Sequence, residues 1–523
     1  MNNGISLWSG WRPARWLGFF TLLLLFVALR WNNFNAPLIR DEGEYAYAAQ
    51  LLIHGGVPYE QAFIQKPPMI IYSYALAQLL LPGVFWAQRL LAYLAVALAT
   101  VLLGFIARKE FGDGVAWLAM LLATPMILLP GLEQFPANTE MFLLFPLLAT
   151  FAIYVHARHG GQTAKHWLAA GFLGVTTLCY KYTALPPVAF VFVVWAVESW
   201  RQTREARTLL KFFLAALLGA GLAVGLEAGF FLMQDGGARL WECTVLFNRE
   251  YLHSSTFGYR WLWCGIFWSK WWVLFLIPWA IFLRPPCRIG FWLGAFISAV
   301  VATSASAYGQ YYIVLMPFWA LLTAVGIRAL AVRIAGGSDF LSRRMTGLIT
   351  VLVLILLLRP DWTWLTCSHA RFLEERINCY PFGGSQAVAR RVAELSGPDD
   401  FVYVAGSEPQ ILFYAQRYSP TRFITAYALM IPTVVAETYQ REAMAALVRH
   451  PPKLIVYSLD KTSWLRQTAS PTDFQDFLGQ FIRRNYLLVG GFLADRPNSW
   501  TEPLSTNDMA GANLLLFQRK PSP

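Results

Sequence analysis

Charged residues are scarce in this chain. Only 14% of its 523 residues are charged, whereas 57% are hydrophobic, and an ordinary soluble domain carries roughly 25% charged residues. This shortage excludes a soluble globular protein of average composition and indicates a membrane protein.

Cysteine is also rare, with six copies. Cys367 and Cys379 both follow the last apolar run, on the side that we expect to be oxidising, so a disulfide between them and two unrelated thiols are both open. The polar region after residue 359 has no glycine-rich phosphate loop, no metal-spaced cluster of His and Cys and no nucleophile elbow. These absences favour an accessory role for that region over a catalytic one.

Apolar runs, in contrast, recur along the first 359 residues and predict eleven membrane spans. Several are shorter than the ~20 residues that a straight span needs, so flanking Trp, Tyr and small residues must complete them. The runs cover residues 16–29, 84–107, 115–130, 141–155, 167–179, 184–197, 212–233, 261–283, 289–303, 311–327 and 345–358.

Lysine and arginine gather in alternate connections, which sets the expected orientation. "WRPAR", "RKEFGDG", "HARHGGQTAKH", "ESWRQTREARTLLK", "LRPPCR" and "RALAVRIAGGSDFLSRR" are all basic, so the positive-inside rule predicts a cytoplasmic N-terminus. No small-residue cleavage site follows the first run, so we expect it to stay attached. The net charge of +12 is mostly this basic edging. Because it forms no single patch with interleaved aromatics, no nucleic-acid partner is expected.

The composition divides the chain into two predicted domains, a membrane part at residues 1–359 and a C-terminal domain at residues 360–523. In the second, strand-like segments alternate with amphipathic helical ones, which predicts a small α/β domain with a partly parallel sheet outside the membrane. The predicted strands are "DDFVYVAG", "TRFITA", "PPKLIVYSL", "YLLVGGFL" and "ANLLLFQR".

The first outer segment, residues 30–83, begins with an acidic helix. In "RDEGEYAYAAQLLIHGGVPYE", Tyr45 and Leu51 fall on one apolar stripe while Glu44 and Gln50 lie off it, a pattern that predicts a helix lying along the membrane interface. "KPPMIIYSYALAQLLLPG" is too short to cross comfortably and is expected to be a second surface helix or a re-entrant piece.

The acidic residues of this segment have two explanations. Asp41 followed by Glu44 resembles a capping box, and acids in a first turn suit the helix dipole, so structure alone could account for them. Capping does not explain why Glu42, Lys66 and Arg89 are also expected near Asp41, at the same outer surface. This grouping favours a reactive role for Asp41 or Glu42.

Sugar transfer from a lipid phosphate would use such a group. The scissile bond lies at headgroup level and the leaving group is a phosphate anion, so Lys or Arg must stabilise it and no general acid is needed. The incoming hydroxyl needs one carboxylate base, whereas glycoside hydrolysis needs two carboxyls. Asp41 with Lys66 fits the lipid-phosphate reaction.

The same residues resemble a known family. "RDEGEYAYAAQLL" and "GVPYEQAFIQKPPMIIYSYAL" are similar to the first outer loop of GT-C fold glycosyltransferases, in the group of the protein mannosyltransferases and aminoarabinose transferases, and closest to the bacterial lipopolysaccharide transferase-like branch. The resemblance implies a mostly α polytopic membrane protein with an extracytoplasmic α/β domain. It implies that Asp41, the first acid of the pair with Glu42, is the base and that Lys66 binds lipid phosphate. Tyr45 and Tyr59 belong to the same motif.

Further positions match the resemblance with less support. In "PANTEMFLLF", Glu140 matches an acidic residue of the second outer loop and Glu133 lies near it, although Glu140 could equally be a first-turn acid. Lys181 in "CYKYTALPP" matches a lysine near a span end, but it could also snorkel. Tyr311 belongs to an aromatic stretch entering a late span, and Arg89 is a further candidate for binding phosphate.

Two departures bear on metal binding. Gln310 stands where relatives often have histidine, and Gln65 stands where the aminoarabinose transferases tend to have an acid. Both changes remove a candidate ligand, so no metal and no other cofactor is predicted. The loop 234–260 is open to two interpretations, packing beneath the outer domain or gating of the site.

We therefore expect a multi-pass glycosyltransferase in a bacterial inner membrane, with its C-terminal domain in the periplasm. It would move a sugar, with inversion, from a polyprenyl-phosphate donor to a lipid, glycan or protein acceptor, with membrane lipids around it. A transporter or flippase of lipid-linked sugars is the alternative, but its charges should lie near the bilayer midplane on broken helices. An inactive relative acting as a scaffold is a third hypothesis.

Overall fold

The protein is mostly helical, with one small sheet near its C-terminus. A computed structural model describes residues 13–129, 136–254, 257–304, 308–377, 382–493 and 500–521. The helices of the membrane part are α1 (Pro13–Ala28), α2 (Arg40–Ile53), α3 (Met69–Leu80), α4 (Ala87–Phe111), α5 (Asp113–Leu128), α6 (Thr139–Gly160), α7 (Ala164–Leu178), α8 (Leu185–Thr203), α9 (Ala206–Met233), α10 (Gly237–Trp241), α11 (Phe247–Ser254), α12 (Phe257–Leu276), α13 (Ile289–Ser304), α14 (Met316–Ile334) and α15 (Asp339–Leu358).

The C-terminal domain alternates helices with strands. Its helices are α16 (Trp362–Thr366), α17 (His369–Phe372), α18 (Ser385–Leu395), α19 (Gln410–Ala415), α20 (Tyr427–Met430), α21 (Ala436–Arg449), α22 (Lys461–Trp464), α23 (Asp473–Asn485) and α24 (Thr506–Gly511). Its strands are β1 (Val402–Ala405), β2 (Leu454–Ser458), β3 (Tyr486–Leu493), β4 (Trp500–Thr501) and β5 (Ala512–Arg519).

The predicted membrane spans correspond to helices of two kinds. Six helices within the described ranges are long and apolar enough to cross a membrane, and the bent pair Cys264–Trp272 and Leu274–Leu283 makes a seventh if it is taken as one span. The other four predicted spans are the shorter helices α1, α5, α7 and α13. These four have 15 or 16 residues, fewer than the ~20 of a straight span.

Burial separates central helices from peripheral ones. The apolar windows of α6 and of the segment Gly309–Ile334 are 83% and 89% buried, whereas that of α9 is 17% buried. A helix whose apolar side chains remain exposed in the isolated chain is one that can face lipid. Small residues let α7 and α9 pack backbone to backbone, since a Cβ at Gly171 would lie 2.1 Å from the Ala216 carbonyl oxygen.

The polar side of α2 is covered by protein. The helix is buried around its whole circumference, and Glu44 and Gln50 are only 3% and 2% exposed. The C-terminal domain covers the side off the apolar stripe, and a Cβ at Gly43 would lie 2.5 Å from the Gln410 nitrogen of α19. The stripe alone did not indicate this cover.

The sheet of the C-terminal domain has the order β1-β2-β5-β3-β4. β1 and β2 are parallel, with Val402 opposite Leu454, and the remaining pairs are antiparallel. The predicted α/β domain with a partly parallel sheet is thus confirmed.

One predicted strand, "TRFITA", is wrong, because this segment contacts the membrane part instead of the sheet. The Phe63 backbone N–H donates to the Arg422 carbonyl at 2.6 Å. The Arg422 guanidinium pairs with Glu242 and Glu442. The backbone and side chain that a strand would have used are therefore engaged across the junction between the two parts.

The two parts share a continuous core. The predicted boundary at residue 359 falls in the short 3-10 turn Arg359–Asp361, yet a single cluster of buried apolar side chains continues from the membrane helices through α2 into the sheet. Cys367 is a buried free thiol, and Cys379 lies outside the described residues.

Candidate active site

Asp41 lies in the first turn of α2, with a half-buried side chain. Its carboxylate makes no hydrogen bond or ion pair with any residue that the structure describes. The backbone N–H of Ile39 donates to Glu42 Oε2 at 3.2 Å, so Glu42 and not Asp41 caps this helix. Asp41 therefore does not cap the helix, although it is a first-turn acid that suits the helix dipole, and its carboxylate is available for other contacts.

Glu42, the neighbouring acid, is fully buried and its oxygens are engaged. Arg89 donates from Nε to Oε1 at 2.7 Å and from Nη2 to Oε2 at 2.5 Å. The backbone N–H of Ala137 adds a third bond, to Oε1 at 2.9 Å. The rest of the Arg89 guanidinium donates to backbone carbonyls of Phe34, Ala36 and Pro37. This pair thus ties α2, α4 and two loops together.

Lys66 lies at the end of a loop whose backbone accepts hydrogen bonds from two side chains. Tyr59 is fully buried with φ +73°, and its hydroxyl donates to the Lys66 carbonyl at 2.8 Å. The Asn248 amide donates to the Gln65 carbonyl at 2.8 Å. These bonds hold the backbone that carries the half-buried Lys66 side chain.

The Lys66 ammonium has no ion-pair partner among the described residues. Burial by itself would lower the pKa of Lys66, but the acidic groups around it raise that pKa above its ordinary value. These groups are Tyr311, Asp41, Glu140 and Glu44. Lys66 is therefore a charged cation that is unpaired among the described residues and lies within reach of the Asp41 charge.

A second lysine completes the positive side of the site. The Lys181 ammonium is bonded to Glu140 Oε1 and lies 3.0 Å from the centroid of the Tyr311 ring, a cation–π contact. The Thr139 hydroxyl donates to Glu140 Oε2 at 3.0 Å. The charges of Asp41 and Lys66 also act on Lys181, so both lysines belong to one site.

Sequence reasoning missed Glu44 as a member of this group. It is buried, and the Tyr427 hydroxyl of α20 donates to its Oε1 at 3.1 Å. Burial first, and the Asp41 charge second, raise the pKa of Glu44 to about 8. Only its position three residues after Asp41, on the same helix face, could have indicated it from the sequence.

Two tyrosines near Asp41 were also missed. Tyr251 of α11 and Tyr308 lie close to each other and within reach of the Asp41 charge, and the Tyr308 ring packs against Tyr311 at 6.0 Å. Tyr251 comes from the loop 234–260, and Phe247 of the same loop packs against Tyr427 of the C-terminal domain at 6.0 Å. The described part of the loop therefore contacts that domain and also borders the site.

Tyr45, another predicted site residue, borders the group from the core. It is 1% exposed, packs edge-on against Tyr74 at 5.5 Å and lies within reach of the charges of Asp41, Glu44 and Glu140. Glu133 lies outside the described residues. No group of three or more His, Cys, Asp or Glu side chains placed to hold a metal occurs in the part of the chain that the structure describes.

The C-terminal domain reaches the start of α2 directly. Arg40 donates to the carbonyls of Ser407 at 3.1 Å and Thr462 at 3.0 Å. The Leu38 backbone N–H donates to the Tyr414 hydroxyl at 2.8 Å. The residue before Asp41 is thus anchored to the C-terminal domain.

Comparison with known proteins agrees with this architecture. Residues 65–224, which include Lys66, Glu140 and Lys181, match the family model of dolichyl-phosphate-mannose-protein mannosyltransferase. A search of the curated proteins finds no match.

Among solved structures, ArnT from Cupriavidus metallidurans bound to undecaprenyl phosphate is similar, with a TM-score of 0.59 and 14% identity over 97% of this chain and 98% of that one. The same protein in the apo state has a TM-score of 0.54 and 14% identity, over 96% of this chain and 98% of that one. The Archaeoglobus fulgidus oligosaccharyltransferase tethered with an acceptor peptide has a TM-score of 0.51 and 12% identity, over 95% of this chain and 74% of that one.

The structural likeness shows a GT-C fold with a C-terminal α/β domain, and the predicted fold class is confirmed. The family match covers the segment of the membrane part that contains both lysines of the site. The fold of the chain is accordingly the GT-C fold, and its residues 65–224 are similar to a glycosyltransferase family.

Proposed function

We propose that the protein transfers a sugar from a polyprenyl-phosphate donor to an acceptor hydroxyl, with Asp41 as the base. The observation that carries this proposal is that one site holds a carboxylate, Asp41, and an ammonium, Lys66, whose charges act on each other and which make no bond with any described residue. The two groups match the two needs of the reaction, proton removal and stabilisation of a phosphate leaving group.

In the proposed reaction the acceptor oxygen attacks the anomeric carbon while Asp41 takes its proton. The bond between that carbon and the phosphate oxygen breaks, and the electron pair leaves with the lipid phosphate. Lys66 and Lys181 stabilise the phosphate charge. Because attack and departure occur on opposite faces in one step, the anomeric configuration inverts.

The other predicted residues receive supporting roles in this scheme. Glu42 and Arg89 position α2, since both Glu42 oxygens accept bonds within the protein. Glu140 and Tyr311 orient the Lys181 ammonium. Tyr59 fixes the backbone of Lys66.

The comparisons support the kinds of substrate but not their identities. The similar ArnT structure contains undecaprenyl phosphate, and the similar oligosaccharyltransferase structure contains an acceptor peptide. We infer a polyprenyl-phosphate sugar as donor and a lipid, glycan or protein hydroxyl as acceptor. We place the reaction on the outer face of a bacterial inner membrane, with the N-terminus in the cytoplasm, from the distribution of basic loops.

An assay in detergent micelles tests this function against transport. Purified protein is incubated with polyprenyl-phosphate sugars and an envelope acceptor fraction, and products are followed by mass spectrometry. A transferase should form the glycosylated acceptor without any membrane to cross. A protein that moves lipid-linked sugar only across intact vesicles, and forms no product in micelles, would contradict the proposal.

Replacing Lys66 should weaken donor binding. Lys66→Gln should raise the Kd for undecaprenyl phosphate about 10- to 100-fold, because a hydrogen bond to a charged group contributes about 1.5–3 kcal/mol. The exposed Lys211, at the far end of the membrane helices, gives the matched control Lys211→Gln. Binding in micelles measures both, and equal affinities would rule out the phosphate role of Lys66.

Chelation should leave activity unchanged. Glu140 is already bonded to Lys181, and Gln65 offers an amide in place of an acid, so lysines supply the positive charge of the proposed site. Transfer is measured with and without EDTA and after adding back Mg²⁺ or Mn²⁺. A loss that either metal reverses would show that a cation takes part.

A further inference from the structure

Glu44 is a buried acid whose contacts come from two parts of the protein. It lies one turn after Asp41 on α2 and is 3% exposed. Its described hydrogen-bond donor is the Tyr427 hydroxyl, which belongs to the C-terminal domain. That hydroxyl also lies beside the backbone of Gln65, next to Lys66. Tyr427 therefore stands where the α2 helix and the Lys66 loop meet.

No cation in the part of the chain that the structure describes pairs with Glu44. Lys66 and Arg40 act on it only through space, and Arg40 donates instead to backbone carbonyls of the C-terminal domain. A buried carboxylate without a paired cation is costly and takes up a proton. The Asp41 charge acts in the same direction.

We propose that Glu44 is a positioning residue of the active site that works in its uncharged form, and that Tyr427 of the C-terminal domain holds it in place. This inference rests on the proposed function, in which Asp41 is the base. It assigns the C-terminal domain a direct part in setting the geometry between Asp41 and Lys66.

The charge balance of the site explains why the uncharged form matters. When Glu44 is neutral, the cations Lys66, Lys181 and Arg40 outnumber the carboxylates of Asp41 and Glu140 by one, so the site is positive before the donor binds. An ionised Glu44 would add a negative charge beside the base. That charge would oppose binding of a phosphate anion.

The sign of the pH dependence follows from the acid itself. Glu44 is uncharged below its pKa of about 8, so its contribution to activity is present at lower pH and is lost as the pH rises through about 8. Lys181 titrates in the same range, because burial lowers its pKa to about 8. A Glu44 variant that cannot ionise separates the contribution of Glu44 from that of Lys181.

The decisive experiment measures kcat and KM against pH for variants of the full-length protein. Glu44→Ala should lower kcat roughly 10-fold at neutral pH, and Glu44→Gln, which keeps the shape and the neutral charge, should recover most of that loss. Glu44→Gln should also lack the part of the alkaline decline that Glu44 causes. An alkaline decline identical to that of the wild type would overturn the proposal.

Tyr427→Phe gives a second, milder test. The hydroxyl bond stabilises the charged form of Glu44, so its removal should move the alkaline decline to higher pH as well as lower kcat. Tyr414→Phe is the matched control, since it removes another tyrosine hydroxyl at the same domain contact, and its pH profile should be that of the wild type. Equal profiles for both variants would contradict the role of Tyr427.

A measurement independent of activity keeps this inference separate from the proposed function. Difference infrared spectroscopy of the wild type against Glu44→Gln should show a protonated carboxyl that disappears as the pH rises through about 8. If this carboxyl signal is absent at neutral pH, Glu44 is not protonated there and the inference is wrong, even if Asp41 proves to be the base. Its presence in a protein without transferase activity would leave Glu44 protonated while the proposed function failed.

Discussion

Asp41→Asn should abolish sugar transfer while leaving the fold intact. The Asp41 side chain makes no bond within the described protein, so an amide of the same shape should cost little stability. The amide cannot accept the acceptor proton, and loss of a general base lowers the rate by about 10² to 10⁴-fold. Initial rates of product formation, together with the thermal unfolding midpoint, measure the two effects.

Asp113→Asn is the control for this substitution. Asp113 is an exposed acid at the start of α5, at the opposite end of α4 from the site, paired with Arg108. The same change of charge there should leave transfer near the wild-type rate. An Asp41→Asn protein with wild-type activity would show that another group removes the proton.

Glu42→Gln should have the opposite signature, a large loss of stability. Removing one partner of a buried ion pair leaves the other charge uncompensated and costs about 3–5 kcal/mol. Arg89→Met should cost a similar amount, because Arg89 also donates to three loop carbonyls. Unfolding of the purified variants in micelles measures the loss.

The double variant Glu42→Gln with Arg89→Met gives an internal check. If the pair acts as a unit, its cost should be clearly smaller than the sum of the single costs. Additive losses would show that the two side chains contribute independently. Stable single variants that lose only activity would instead favour a catalytic role for Glu42.

Together these predictions assign different roles to two adjacent acids. Composition and spacing could not separate Asp41 from Glu42, because both fall in one first turn at the membrane surface, and only the family resemblance favoured Asp41. The structure separates them through Arg89, which lies 47 positions beyond Glu42 and engages both of its oxygens. Arg89, a charged residue inside an apolar run, was a predicted phosphate ligand, whereas its partner Glu42 lies in a distant segment of the sequence.

Other differences have the same physical origin. The stripe of α2 predicted one buried face, but α19 and α20 cover the opposite face from more than 360 positions away, as the bond between Tyr427 and Glu44 shows. Likewise "TRFITA" had the composition of a strand, yet its backbone bonds to Phe63 in the membrane part. A local sequence pattern does not indicate which distant segment will pack against it.

The sequence by itself determined the membrane class, the α/β nature of the C-terminal domain and the two groups at the centre of the proposed chemistry, Asp41 and Lys66. Hydropathy, periodicity and the motif around those residues are local properties, and they survive folding. Only the tertiary structure decided which charges are neutralised. The identity of a buried acid's partner depends on which segments pack together, and so Glu42 is paired, Glu44 is held by Tyr427, and Asp41 is left without a partner among the described residues.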